Sequence, residues 1–109
     1  MTMITVKNIS PIEDFIFMRM TEGENVLCEA TAQIDGDMAK LIDITEYESG
    51  FGFDIGKATL NIIDLKGVKN VICNNEILND ILVRLGFNKD NCAYLLSLEG
   101  YFVANCKKI

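Results

Sequence analysis

Apolar and polar positions alternate in short runs over the first half of the chain and change period in the second. Val26 to Ile34 is an apolar-rich run closed by Asp35-Gly36-Asp37, and Met38 to Ile44 resumes it. Asp-Gly tolerates positive φ, so this stretch predicts two strands joined by a tight hairpin. Upstream, Ile4, Val6 and Ile9 mark a short strand ended by Ser10-Pro11. Phe15 to Met20 is apolar and aromatic-rich, and Thr21-Glu22-Gly23-Glu24-Asn25 breaks it as a turn does. The content of that segment favours a strand, while its length leaves a helix open. The expectation for residues 1–50 is therefore a meander of strands.

Beyond residue 50 the period becomes helical. Ile55, Ala58, Ile62 and Leu65 share one face from Asp54 onward, and Lys66-Gly67 supplies a cation and a left-handed cap as the stop. Val68 to Cys73 reads as a short strand. Asn74 or Asn75 then caps a second helix with Glu76 in its first turn and a stripe of Ile77, Leu78, Ile81, Leu82 and Leu85, ended by Gly86. Ala93 to Leu98 and Tyr101 to Ala104 flank Glu99-Gly100, a second hairpin signal. The order of strands, helix, strand, helix and hairpin predicts an α/β fold, a mixed, mostly antiparallel twisted sheet with two crossover helices.

Composition narrows the function classes. The 109 residues, half of them hydrophobic, suit one globular domain over 1–109. Ten basic against sixteen acidic residues give a net charge of −6, and no basic cluster is longer than Lys107-Lys108. That argues against nucleic acid and makes a cationic, amine-bearing partner easier to attract. Cys28, Cys73, Cys92 and Cys106 form no CxxC pair and histidine is absent, so no finger-type metal site or histidine-dependent triad is expected. Cys28 and Cys73 sit in apolar runs and read as small buried hydrophobes. With no leader-like segment and no apolar stretch long enough to span a bilayer, the expectation is a cytoplasmic protein with reduced thiols and no membrane.

The informative segment runs from Met38 to Phe87. It holds a strand (Ala39 to Ile44), a glycine-rich turn (Gly50-Phe51-Gly52-Phe53-Asp54-Ile55-Gly56), a helix from Lys57-Ala58, a strand (Val68 to Cys73), then Asn75, a helix and Leu85-Gly86-Phe87. Asn75 stands eleven residues before Gly86. This order and spacing resemble the core of the GNAT acyl-CoA N-acyltransferases over roughly the last two thirds of the chain. The resemblance implies that fold, lacking its two N-terminal helices. It implies acetyl-CoA or another acyl-CoA as cofactor, no metal, and a small amine as substrate. Gly52, Phe53, Asp54, Ile55, Gly56 and Lys57 would then lie at the coenzyme pyrophosphate, where orphan N–H groups and a helix dipole make an anion seat. Asp43, Ile44 and Thr45 would pair with the pantetheine arm, Asn75 would stand at the following helix, and Glu46 would be the general base.

The sequence also departs from the family. Phe51 replaces the Gln or Arg of its turn, Asp54 replaces the central glycine, and Leu82 stands where a tyrosine acid is frequent. Each position has a plainer reading: the turn as a strand-to-helix corner, Asn75 as a cap, and Glu46 with Glu48 as a solvated acidic run. Tyr47, Tyr94 and Tyr101 and Asp43 complete the candidate proton-transfer groups. The alternative function is a non-catalytic binding or structural protein of this fold that has lost coenzyme A binding. As a homodimer, its partner would cover the surface left by the missing helices.

Overall fold

The computed structural model describes residues 3–10 and 12–102. Four strands, β1 (Ile4–Asn8), β2 (Phe15–Glu22), β3 (Asn25–Asp35) and β4 (Met38–Glu46), form an antiparallel meander. Phe15–Met20 is thus a strand, and its alternation shows why: Ile16, Met18 and Met20 are buried while Phe15, Phe17 and Arg19 are half-buried on the other face. Gly36, at φ 64°, makes the expected hairpin between β3 and β4.

The helix α1 (Gly52–Leu65) leads to β5 (Asn70–Cys73), which pairs parallel to β4. A short 3₁₀ turn (Glu76–Leu78) and α2 (Asn79–Leu85) follow, then β6 (Asn88–Asp90) and β7 (Ala93–Ser97). The order across the seven-stranded sheet is β1-β2-β3-β4-β5-β7-β6, so α1 bridges the parallel pair and α2 carries the chain past β7 to the edge. Apart from β4–β5, every strand pair is antiparallel. Between β1 and β2 the described residues hold no helix, in line with the expected loss of two N-terminal helices.

The core forms where α1 lies across β2, β3 and β4. Alanines at 30 and 32 and Cys28 keep β3 low under the helix, all essentially without exposure. A bulge between Thr31 and Ala32 sets Ile42 as an extra residue in β4, which keeps both Leu41 and Ile44 on the core face though three positions separate them. The buried stripe of α1 is Ile55, Gly56, Thr59, Leu60 and Ile63. It is rotated from the expected one: Ala58 and Ile62 flank it and Leu65 is 73 % exposed. Thr59 hides its polarity by donating its hydroxyl to the Ile55 carbonyl at 2.7 Å, so a polar letter stands at a core position.

Two further expectations needed correction. Ile77 is 92 % exposed because residues 76–78 form a tighter turn than an α-helix, leaving Leu78, Leu82 and Leu85 as the buried set. Among the described residues the last hairpin is β6–β7, turned at Asn91 with φ 59°, and Tyr101 and Phe102, where the strand after Glu99-Gly100 was expected to begin, lie in a turn. Glu99-Gly100 makes a turn that folds Tyr101 back against α2, with its hydroxyl donating to the Leu85 carbonyl at 2.5 Å. Val103 and Ala104 of the expected last strand lie outside the described residues, as do Pro11 and Cys106.

Candidate functional site

The parallel pairing of β4 with β5 is short. It runs from Met38–Asn70 to Lys40–Ile72, after which β4 continues to Glu46 while the other strand ends at Cys73. Beyond Lys40 the outer edge of β4 therefore has no strand beside it, and its backbone groups on that side face a notch. Asp43, Ile44 and Thr45 line this edge. Ile44 is buried beneath α1, and Asp43 and Thr45 are exposed. Asn75 Nδ2 reaches across the notch to donate to Asp43 Oδ1 at 3.1 Å, and along β4 itself Thr45 Oγ1 donates to Asp43 Oδ2 at 3.3 Å. Asn75 is also the cap, its Oδ1 accepting the Ile77 N–H at 3.2 Å.

Above the notch, residues 47–51 turn the chain into α1. The Tyr47 and Glu48 N–H groups both donate to the Leu27 carbonyl at 2.9 Å, which fixes the start of this loop on β3. Glu46, the last residue of β4, folds its carboxylate into the loop. Oε2 accepts the Gly50 N–H at 3.0 Å and the Gly52 N–H at 2.7 Å. The first-turn donors of α1 are thus divided. Gly52 is engaged by Glu46, the Ile55 N–H by the Phe51 carbonyl at 3.0 Å, and the N–H groups of Phe53 and Asp54 have no carbonyl one turn back within the helix.

The other residues of the turn take distinct places. Asp54 is exposed in the first turn of α1, where the helix dipole favours an acidic charge. Gly56 faces inward, and a Cβ there would stand 2.8 Å from Leu85 Cδ1, so its lack of a side chain lets α1 and α2 approach. Ile55 has no exposure, leaving only its backbone for any ligand. Lys57 Nζ lies 5.9 Å from the Phe53 ring centre and 5.3 Å from that of Tyr101, and the Arg84 guanidinium lies 5.0 Å from Phe53. Two cations therefore flank the first turn of a helix whose N-terminus is itself positive. Arg84 was not among the sequence candidates; it lies on the face of α2 that packing brings to Phe53.

The tyrosines and cysteines are engaged elsewhere. Tyr47 donates to Glu29 Oε1 at 2.8 Å, which raises its pKa, and Glu29 also holds Arg19 at 2.7 Å. Tyr94 is buried and donates to Asn79 Oδ1 at 2.7 Å. Burial raises the pKa of Tyr101. Burial also pushes the Cys28 thiol up to about 11, with Glu46, Asp54 and Glu29 adding to it, and its Sγ points at the Phe51 carbonyl at 3.6 Å. Cys73 is raised by burial as well, so both thiols have the character of buried hydrophobes; Cys92 is exposed. Among the described residues no group of His, Cys, Asp and Glu is placed to hold a metal, and no helix is long and apolar enough to cross a membrane.

Two depressions, of about 390 and 320 Å³, share Met38 and lie at the paired end of β4 and β5, away from the notch. Among their lining residues Met38, Ile72 and Leu95 alternate with the buried Ala39, Val71 and Leu96 and so stand on the sheet face away from α1. That face carries Phe15, Phe17, Ile72 and Leu95 with partial exposure, and no helix among the described residues packs on it.

No family model matches the sequence, and no curated protein matches it. Solved structures do match in fold. The ribosomal-protein-S18-alanine N-acetyltransferase from Escherichia coli superposes with a TM-score of 0.74 at 14 % identity, over 87 % of this chain and 94 % of that one. A Desulfovibrio desulfuricans acetyltransferase described as of the GNAT family gives 0.70 at 14 % identity, over 78 % and 70 %. The PaiA N-acetyltransferase from Thermoplasma acidophilum, solved in complex with coenzyme A, gives 0.62 at 15 % identity, over 76 % and 59 %. The chain has the GNAT acetyltransferase fold.

Proposed function

We propose that the notch beside β4 and the first turn of α1 bind an acyl-CoA, and that the protein is a GNAT-like N-acyltransferase acting on a small amine. The observation that carries this reading is the meeting of three features at one place. These are an unpaired edge at Asp43–Thr45, unclaimed N–H groups at Phe53 and Asp54, and the cations of Lys57 and Arg84. An extended amide-bearing arm suits the edge and a pyrophosphate suits the helix terminus. Coenzyme A carries both groups in that order, and a fold neighbour was solved with it.

When bound, the coenzyme would supply an activated acyl thioester. The chain's own contribution would be to align the arm along residues 43–45, with Asn75 closing the far side, and to hold the phosphates at the helix. Glu46 and Asp43 are the carboxylates beside the notch. Asp43 is held by Asn75 and Thr45 and Glu46 by the loop, so one of them must be released to take a proton from an amine. The net charge of −6 favours the approach of a cationic amine, inside the cytoplasm where acyl-CoA is made.

A second reading has its own observation. With Glu46 in the loop, Leu82 fully buried at the position of the family's acid, and one sheet face bare, the fold would serve as a non-catalytic binding or structural partner. A second copy of the chain would then cover the bare face. Calorimetric titration with acetyl-CoA and with free coenzyme A separates the two. Micromolar binding, followed by coenzyme A release in the presence of a panel of small amines, supports the transferase. Binding without release leaves a coenzyme-binding protein, and no binding with a dimer in light scattering favours the second reading.

A further inference from the structure

We infer that Glu46 is a built-in competitor for the phosphate end of the ligand, an autoinhibitory contact that must open before α1 receives an anion with its full set of donors. This rests on the acyl-CoA reading above and adds a regulated seat to it. The loop is shaped around the carboxylate. Two backbone N–H groups converge on the single atom Oε2, at 3.0 Å from Gly50 and 2.7 Å from Gly52, an arrangement of charge-assisted bonds like that in which main-chain donors hold a phosphate oxygen. Gly50 has φ 102°, a backbone conformation that side-chain-bearing residues rarely adopt. At Gly52 a Cβ would stand 2.9 Å from that same Oε2, so the place beside this glycine is already filled by the carboxylate.

An arriving anion consequently meets a partly occupied terminus. With Glu46 in place only the Phe53 and Asp54 N–H groups remain in the first turn, beside a negative charge. With Glu46 swung out, Gly50 and Gly52 join them. Glu46 is solvent-exposed, so its carboxylate has water to move into. A ligand that binds only the open state has its apparent affinity lowered by the fraction of molecules that are open. Two charge-assisted bonds on the closed side place that fraction at roughly one in ten or below.

The test is titration of acetyl-CoA, and separately of inorganic pyrophosphate, into the wild-type chain, Glu46→Gln and Glu46→Asp. The first substitution removes the charge. The second keeps it and withdraws it by one methylene, and circular dichroism checks that both fold. Both variants should bind each probe about tenfold more tightly than the wild type. In the wild type, the amide resonances of Gly50 and Gly52 should shift as their acceptor is exchanged. Wild-type binding that Glu46→Gln leaves equal or weakens, or binding that leaves both glycine amides unmoved, would overturn the competitor while sparing the coenzyme site. Failure of all three chains to bind acetyl-CoA would remove the coenzyme reading itself.

Discussion

Gly52 offers a way to measure the Glu46 contact without any ligand. A Cβ at this position would fall 2.9 Å from Glu46 Oε2, 3.0 Å from Glu46 Cδ and 2.5 Å from Ile81 Cδ1. Alanine in place of a helical glycine ordinarily gains about 1 kcal/mol, and less at the first position of a helix. Here the carboxylate must leave the loop, with the loss of a cap-like pair of bonds. Such caps are worth about 0.5–2 kcal/mol, and a carboxylate oxygen that accepts two N–H groups belongs near the middle of that range or above it. Ile81 must also shift, at about 1 kcal/mol for a flexible side-chain end. Gly52→Ala should therefore be destabilising by about 1 kcal/mol, against the sign of helix propensity. Glu46→Ala should cost a similar amount, and the two together less than their sum by about 1 kcal/mol, because each removes the same bonds. Urea unfolding followed by circular dichroism on the four chains of the cycle gives the coupling directly. Additivity within about 0.5 kcal/mol, or a Gly52→Ala variant more stable than the wild type, would refute the argument.

Leu82 of α2 has no exposure and belongs to the buried core, so Leu82→Ala should cost about 2–5 kcal/mol and lower the melting temperature by more than about 8 °C in a thermal scan. In the native protein at pH 8, a thiol reagent should modify Cys92 and spare Cys28, whose pKa of about 11 leaves it protonated; modification at equal rates would refute the burial assigned to it. Because the Cys28 pKa is raised from 9.0, its contribution to stability is complete below pH 9 and is lost as pH rises toward 11, where the unfolded chain has already released the proton. Cys28→Ala should flatten the fall of stability over that window, measured by denaturant midpoints at pH 8 and pH 10.

What could be read from the letters depended on whether a residue's role is local. The Asp-Gly hairpin, the Lys66-Gly67 stop and the Asn75 cap are decided by neighbours in sequence, and each stands where the pattern placed it. Strand β6 is Asn88-Lys89-Asp90, wholly exposed and without an apolar letter; it is a strand only because β7 supplies its hydrogen bonds. The α1 stripe was misplaced by Thr59, whose hydroxyl is satisfied within the helix itself. The site divides in the same way. That a strand gives way to a helix near residue 50 was legible, although α1 starts at Gly52, inside the segment expected to be the turn, whereas the position of Glu46 in the preceding loop depends on loop geometry. Gly50 and Gly52 stand four and six residues after Glu46, a spacing whose consequence shows only once the chain has closed around the side chain.

Asp54 and Glu46 are both acidic residues at one helix terminus, and their effects on an anion differ in kind. Asp54 is exposed and acts through water, where two unit charges about 4 Å apart interact by only about 1 kcal/mol. Salt at 0.15 M screens such exposed charges over about 8 Å. Asp54→Asn should then tighten acetyl-CoA binding by no more than about fivefold at low salt, with most of the gain gone at 0.5 M salt. It should also weaken α1 by about 0.3–1 kcal/mol, since the charge suits the helix dipole. Glu46 withholds donors, and restoring donors survives salt that screens a distant charge. Titrations of Asp54→Asn and Glu46→Gln across the two salt concentrations distinguish a repelling neighbour from an occupied seat. A salt-resistant gain from Asp54→Asn, larger than that from Glu46→Gln, would reverse the assignment and make position 54 the residue that closes the site.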